Sequence, residues 1–192
     1  MGTRGMWVRL MVMLPMLAAL LALGAPKGAS AATVCGDTQI GLEEITGTIR
    51  DSIVVPADAL CVLSGATVRG GVTVQEGGAL YSEFSEIRGS VSGAGVDTLD
   101  IWGGVVRGSV TVSGATAYAI VESAEVRGNV VITGAGDATL NVGGSATLNT
   151  NGVVNVHSST IAANLSCAGN STVILEEYVP NTVGGVTNCP AP

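Results

Sequence analysis

The chain has 192 residues, with eight Lys and Arg against fifteen Asp and Glu and only 3% aromatic residues. Its length suits one domain with a true core. The acidic balance argues against nucleic acid or an anionic membrane as a partner, because both are held through clustered cations.

At the N-terminus, Arg4 and Arg9 precede a 16-residue apolar run, LMVMLPMLAALLALGA, followed by Ala29-Ser30-Ala31. This is the pattern of a secretory signal peptide over residues 1–31. A membrane span needs about 20 apolar residues, more than this run, which also contains Pro15. Cys35 follows Thr33-Val34 and not the small residues that lipid attachment requires, so no membrane insertion is expected after cleavage. Cleavage removes Arg4, Arg9 and Lys27 and leaves residues 32–192 with five arginines, no lysine, all fifteen acidic residues and a net charge of about −10. Four cysteines in an exported chain read as two disulfides.

From residue 49 one five-residue frame recurs: IRDSI (49–53), VRGGV (68–72), IRGSV (87–91), VRGSV (106–110) and VRGNV (126–130). Its arginines, Arg50, Arg69, Arg88, Arg107 and Arg127, are 19, 19, 19 and 20 residues apart, a fixed period in the range of solenoid coils. Apolar residues keep even offsets, as in Ile49/Ile53/Val55 and Val106/Val110/Val112, which predicts one face of extended chain. The third position fails once, at Gly93. Val72, Val91, Val110 and Val130 are expected to stack as one inward column. A second strand-like segment follows in each coil: LYSEF (80–84), TLDIW (98–102), YAIVE (118–122), TLNVG (139–143) and VVNVH (153–157), with Gly-rich corners between segments.

The prediction is an all-β chain, a single-stranded parallel β-helix (β-solenoid) of about 19 residues per coil and six or seven coils. The general preference of parallel crossovers makes it right-handed. Residues 32–192 form a single domain: 32–61 the N-terminal cap and first coil, 62–166 the regular coils, and 167–192 the C-terminal cap. Val126 and Ile161, the next residue in frame, are 35 apart, so one coil is expected to be truncated or rearranged around SATLNTNG (145–152). A β-sandwich would not need a constant step, and no 3.6-residue period follows the leader.

Cys167 and Cys189 share the spacing of Ile161 and Val183, 22 residues, and so hold the same coil position one turn apart, close enough for a disulfide. By the same logic Cys35 and Cys61, 26 apart, would join the N-terminal cap to the first full coil. With both ends closed, a monomer or small oligomer is expected.

The segments ATVRGGVTV (66–74), VVPADALC (54–61), STIAANLSC (159–167) and NTVGGVTNC (181–189) resemble those of small secreted bacterial parallel β-helix repeat proteins of unknown function. The resemblance covers nearly all of residues 32–192; it implies the fold and no activity. A looser similarity is to bactofilins, cytoskeletal β-helices that polymerise end to end, which lack an export signal and capping disulfides.

The five arginines sit beside inward residues and should form an outward ladder. Like charges about 5 Å apart repel. Glu86 and Glu125, two residues before Arg88 and Arg127, and Glu83 and Glu122, five before, are expected to relieve that repulsion. Arg50, Arg69, Arg88, Arg107 and Arg127 are also the candidate ligand-binding residues of the alternative reading, a binding module for an anionic polysaccharide. An enzyme is not expected, a polysaccharide lyase or hydrolase being the least favoured reading. Residues 32–192 have no lysine for a base, and the aspartates (Asp51, Asp58, Asp97, Asp100, Asp137) fall at unrelated coil positions. His157, the only histidine, reads as a surface residue, and the cysteines lack metal-ligand spacing; no metal or cofactor is expected. Stepping Tyr81 forward one coil reaches Asp100, and stepping Phe84 reaches Gly103, so the aromatics, with Trp102, Tyr118 and Tyr178, are not expected to form a strip. The resulting expectation is a secreted, periplasmic or cell-surface bacterial β-solenoid. It is non-catalytic, with a structural or interaction role towards an envelope or extracellular polymer.

Overall fold

A computed structural model describes residues 32–35, 42–142, 145–149, 151–156, 160–161, 164–170, 172–175 and 182–189. Among them every regular element is a β-strand, and the strands stack in parallel as a β-solenoid. Val- and Thr-rich segments with two-residue periodicity fit a pleated, half-buried surface, and glycines every few residues interrupt them.

Each coil has three short sides and not the two segments that the sequence suggests. One coil runs Leu60–Ser64, Thr67–Val68, Val72–Val74; the next runs Ala79–Glu83, Glu86–Ile87, Val91–Ala94. We call these the first, second and third sides. Among the described residues six coils have all three: 42–55, 60–74, 79–94, 98–113, 118–133 and 153–168. The third sides form an eight-stranded sheet. The first sides and the second sides as far as Val126 merge into a twelve-stranded one because Tyr118–Val126 stays extended through the corner between them, while Thr160–Ile161 pairs Thr182–Val183 in a separate two-stranded sheet. The second side was concealed in the repeated frame: Ile49 ends it and Ile53 opens the third side, with Arg50 to Ser52 turning between them. Both isoleucines face the same interior, so the even offset survives although the strand is broken.

Register makes columns of the inward residues. Ile53, Val72, Val91, Val110, Val130, Ala146 and Leu165 follow one another on the third side, all buried, which includes the expected valine column. A second column runs Val55, Val74, Gly93, Val112, Ile132, Leu148, Cys167. Fully burying each such aliphatic side chain is worth about 1.5–3 kcal/mol before entropy is counted. Gly93 leaves no void, because a Cβ there would lie 2.4 Å from Cγ1 of fully buried Val96. The equivalent corners of the next two coils hold the smaller Ala115 and Ala135, also buried. Corner and strand exchange volume within one coil.

The Arg-Gly-Ser corner between the second and third sides has a packing reason. A Cβ on Gly108 or Gly128 would come within 2.5 Å of Ser90 Oγ or Ser109 Oγ in the preceding coil, so only glycine fits. The serines accept backbone N–H groups of the following coil: Ser109 N donates to Ser90 Oγ at 3.1 Å and Asn129 N to Ser109 Oγ at 3.1 Å. Such bonds satisfy polar groups that the bent backbone cannot pair in a ladder.

The short coil differs in detail from expectation. SATLN is an ordinary third-side strand, Ser145–Asn149, pairing Asn129–Thr133 in register. The shortfall lies just before it: Asp137–Val142 and Ser145–Asn149 leave no room for a second-side strand, and Asn129 and Ser145 face each other only 16 residues apart. The corner that follows is held by buried Asn151, whose Oδ1 accepts from Ala135 N at 2.9 Å while its Nδ2 donates to Ile132 O at 3.2 Å. Asn170 repeats the device one coil on, accepting from Asn151 N at 2.8 Å and donating to Leu148 O at 2.7 Å.

The disulfides pair as expected, Cys35 with Cys61 and Cys167 with Cys189, with Cα separations of 5.6 and 4.8 Å. Only the second joins equivalent positions: the bridge Leu165↔Thr187 sets Cys189 in register with Cys167. Cys35 N donates to Val54 O at 2.9 Å, which puts Cys35 on the third side, whereas Cys61 pairs Leu80 on the first side. The first bridge therefore crosses the interior between two sides. Both of its cysteines are fully buried.

Two outcomes test this packing. Val110→Asp places an unpaired charge in the inward column and is expected to abolish the cooperative melt in circular dichroism. Gly93→Val is expected to destabilise by about 1–3 kcal/mol through overpacking, and adding Val96→Ala to recover most of it, because the pair then matches Val112 with Ala115. Urea midpoints that show no recovery would refute the exchange of volume.

Candidate functional site

The arginine ladder is present. Each arginine opens the corner after the second side, and four of the five are held by the coil before: Arg69 N donates to Ile49 O, Arg88 N to Val68 O, Arg107 N to Ile87 O and Arg127 N to Val106 O, at 2.8–2.9 Å. All five side chains are exposed. Glu86 points outward from the second side and serves two coils at once. Its Oε1 accepts from Arg107 Nε at 2.9 Å and Nη2 at 2.6 Å, and from Arg88 Nε at 3.3 Å. These contacts hold its carboxyl below the usual range, the hydrogen bond from Arg107 foremost. Arg127 pairs within its own coil, Nε to Glu125 Oε1 at 2.8 Å. Among the described residues Arg50 and Arg69 have no salt bridge.

Glu83 and Glu122, expected to relieve the same ladder, are elsewhere. Each is followed by a residue of left-handed backbone, Phe84 in one coil and Ser123 in the other, so both glutamates face outward from the first side, in register above and below Trp102. Asp100 lies two residues from Trp102 on the same face, between Tyr81 and Ile120. Its carboxyl is raised above the usual range by burial first, then by Glu122 and Glu83.

The structure also corrects the aromatic reading. Tyr81 and Tyr118 reach past Asp100 from either side, their hydroxyls 2.9 Å apart. That hydrogen bond is the main reason that the Tyr118 hydroxyl is pushed up to about 12. The rings of Phe84 and Trp102 lie 4.7 Å apart at 58°. Stepping by the coil period missed both pairs because they are diagonal: long side chains reach neighbours in adjacent columns. The usable signal was the clustering of four aromatics between residues 81 and 118 in a chain otherwise nearly without them. His157 and Tyr178 lie outside the described residues.

These features define a three-sided, disulfide-closed parallel β-solenoid with one charged corner and one side that gathers aromatic rings and carboxylates. Compared with family models, curated proteins and solved structures, the chain matches none.

The two displaced carboxyls give opposite pH dependences. The folded state binds the Asp100 proton more tightly than the unfolded chain does, so stability is lost as pH rises from the unfolded value through the folded one. Asp100→Asn is expected to raise the melting temperature at neutral pH and to leave it unchanged at pH values below the ordinary aspartate range. Glu86 is the reverse case, contributing stability above its unfolded value that disappears as pH falls through its lowered folded value. Glu86→Gln is expected to lower the melting temperature at neutral pH only, and calorimetric scans across the acid range check both.

Proposed function

We propose that the protein is an exported, non-catalytic β-solenoid with a structural or interaction role at a bacterial cell envelope or outside the cell. The signal-peptide pattern of residues 1–31 supports export, and two disulfides are compatible with an extracellular or periplasmic location. The resemblance to small secreted bacterial β-helix repeat proteins supports the same reading. The observation that carries it is the double engagement of Glu86: the most regular charged feature of the surface braces Arg88 of one coil to Arg107 of the next. A ladder spent in this way is a mixed-charge edge, which also discourages other strands from adding to it.

A second reading, an anion-binding corner for an acidic polysaccharide, is favoured by Arg50 and Arg69, which have no salt bridge among the described residues. Retention on an immobilised acidic glycan at low salt separates the two. The brace predicts that Arg107→Ala lowers the melting temperature and that the wild type is not retained. Saturable retention lost in Arg50→Ala with Arg69→Ala would put the binding module first, and release of sugars from an acidic polysaccharide would put an enzyme first. The disulfide-closed ends predict discrete particles without reductant, and filaments in electron micrographs would favour the bactofilin-like role.

A further inference from the structure

Phe84 poses a question that stability does not answer. It has a left-handed backbone, φ 48°, at a corner where the equivalent residues are Gly65 at 58°, Gly103 at 66° and Ser123 at 54°. A side chain larger than glycine is strained in that conformation. The ring is nevertheless 63% exposed, lying over Gly103 and against Trp102, which is itself 44% exposed. The chain thus displays Phe84 in a costly position against a second exposed ring, beside three carboxylates.

Trp102, Tyr81, Glu83, Asp100 and Glu122 line a cleft of about 160 Å³ on the first side, with Phe84 at its edge. Its size falls below the ~300–1,000 Å³ of sites that enclose a whole small molecule, so it suits one projecting group. Three of its lining side chains are carboxylates and none is a lysine, arginine or amide, so it suits a ligand rich in hydrogen-bond donors. Among the described residues no three His, Cys, Asp or Glu side chains are arranged to hold a metal ion. A donor-only group on an apolar stem, beside aromatic faces, is a guanidinium or ammonium side chain. The charge balance agrees, since residues 32–192 carry about −10, which steers cations towards such a cleft.

We propose that this cleft binds a lysine or arginine side chain of a basic peptide segment, its cation set against Trp102 and Phe84 and bonded to Asp100, Glu83 and Glu122. The site is separate from the arginine corner, so it goes beyond the role proposed above and does not depend on how that corner is used. Bringing in the cation offsets the mutual repulsion of the three carboxylates, which together with burial raises the Asp100 carboxyl above its usual range.

The test is titration of the oxidised full chain with hexa-arginine and hexalysine at low ionic strength, followed by tryptophan emission and calorimetry. Saturable binding with a change in emission is expected. Phe84→Gly, which restores the residue of neighbouring corners and should not lower the melting temperature, is expected to weaken binding about 3- to 30-fold. Asp100→Asn, which should melt higher, is expected to weaken it at least tenfold, whereas Glu125→Gln on the arginine corner leaves it within twofold. Absence of saturable binding overturns the proposal, as does binding indifferent to both cleft variants. Binding of glucosamine oligomers without binding of either peptide would assign the cleft to a cationic glycan and overturn it equally.

Discussion

Parallel backbone pairing, with neighbouring strands about 4.8 Å apart, ties every residue to its counterpart one period away, as Ile53, Val72, Val91, Val110 and Val130 show. A side chain chosen in one coil therefore becomes part of a column, and the column must pack as a whole. With three short sides the interior is narrow, which favours Val, Ile and Ala over rings and explains an aromatic-poor core. Corners obey the same rule. The coil above comes so close to Gly108 and Gly128 that no Cβ fits, and serines in the adjoining position supply acceptors that the bent backbone lacks.

Repetition also multiplies charge. An arginine used in five coils becomes five cations in a row, tolerable because an adjacent outward column holds Glu86 and Glu125. On the first side Glu83, Asp100 and Glu122 face outward close together, and Asp100, half-buried between them, carries the consequence in its raised carboxyl. Local costs of this kind, with Phe84 in a left-handed corner, concentrate on one patch of an otherwise self-consistent stack. Such concentration is what a binding surface requires and a spacer does not.

The ends of the stack pose the other general problem of a solenoid, since unpaired strand edges template further chains. One inward column runs from Cys35, in register with Val55, to Cys167 and Cys189. At one end the bridge crosses the interior to the first side, and at the other it fastens the last turn to the one before. The two bridges link residues 26 and 22 apart in sequence, and each contributes roughly 3 kcal/mol through the unfolded chain.

Much of this was legible beforehand. The 19-residue step, the inward valines, the outward arginines with Glu86 and Glu125, and the partnership of Cys167 with Cys189 all follow from the spacing of residues, because ladder hydrogen bonding forces equal positions in successive coils to coincide. What spacing does not contain is the path within a coil. The tertiary structure decided that there are three sides, that the corners at Phe84 and Ser123 turn Glu83 and Glu122 away from the arginines, and that Cys35 reaches Cys61 across the interior. It also decided the contacts that leave their own column: Val96 in the space of Gly93, Tyr81 against Tyr118, Phe84 against Trp102. The physical reason is that the period is a property of backbone pairing, common to every coil, whereas corner angles and the reach of long side chains are set by each coil's own residues packing in three dimensions.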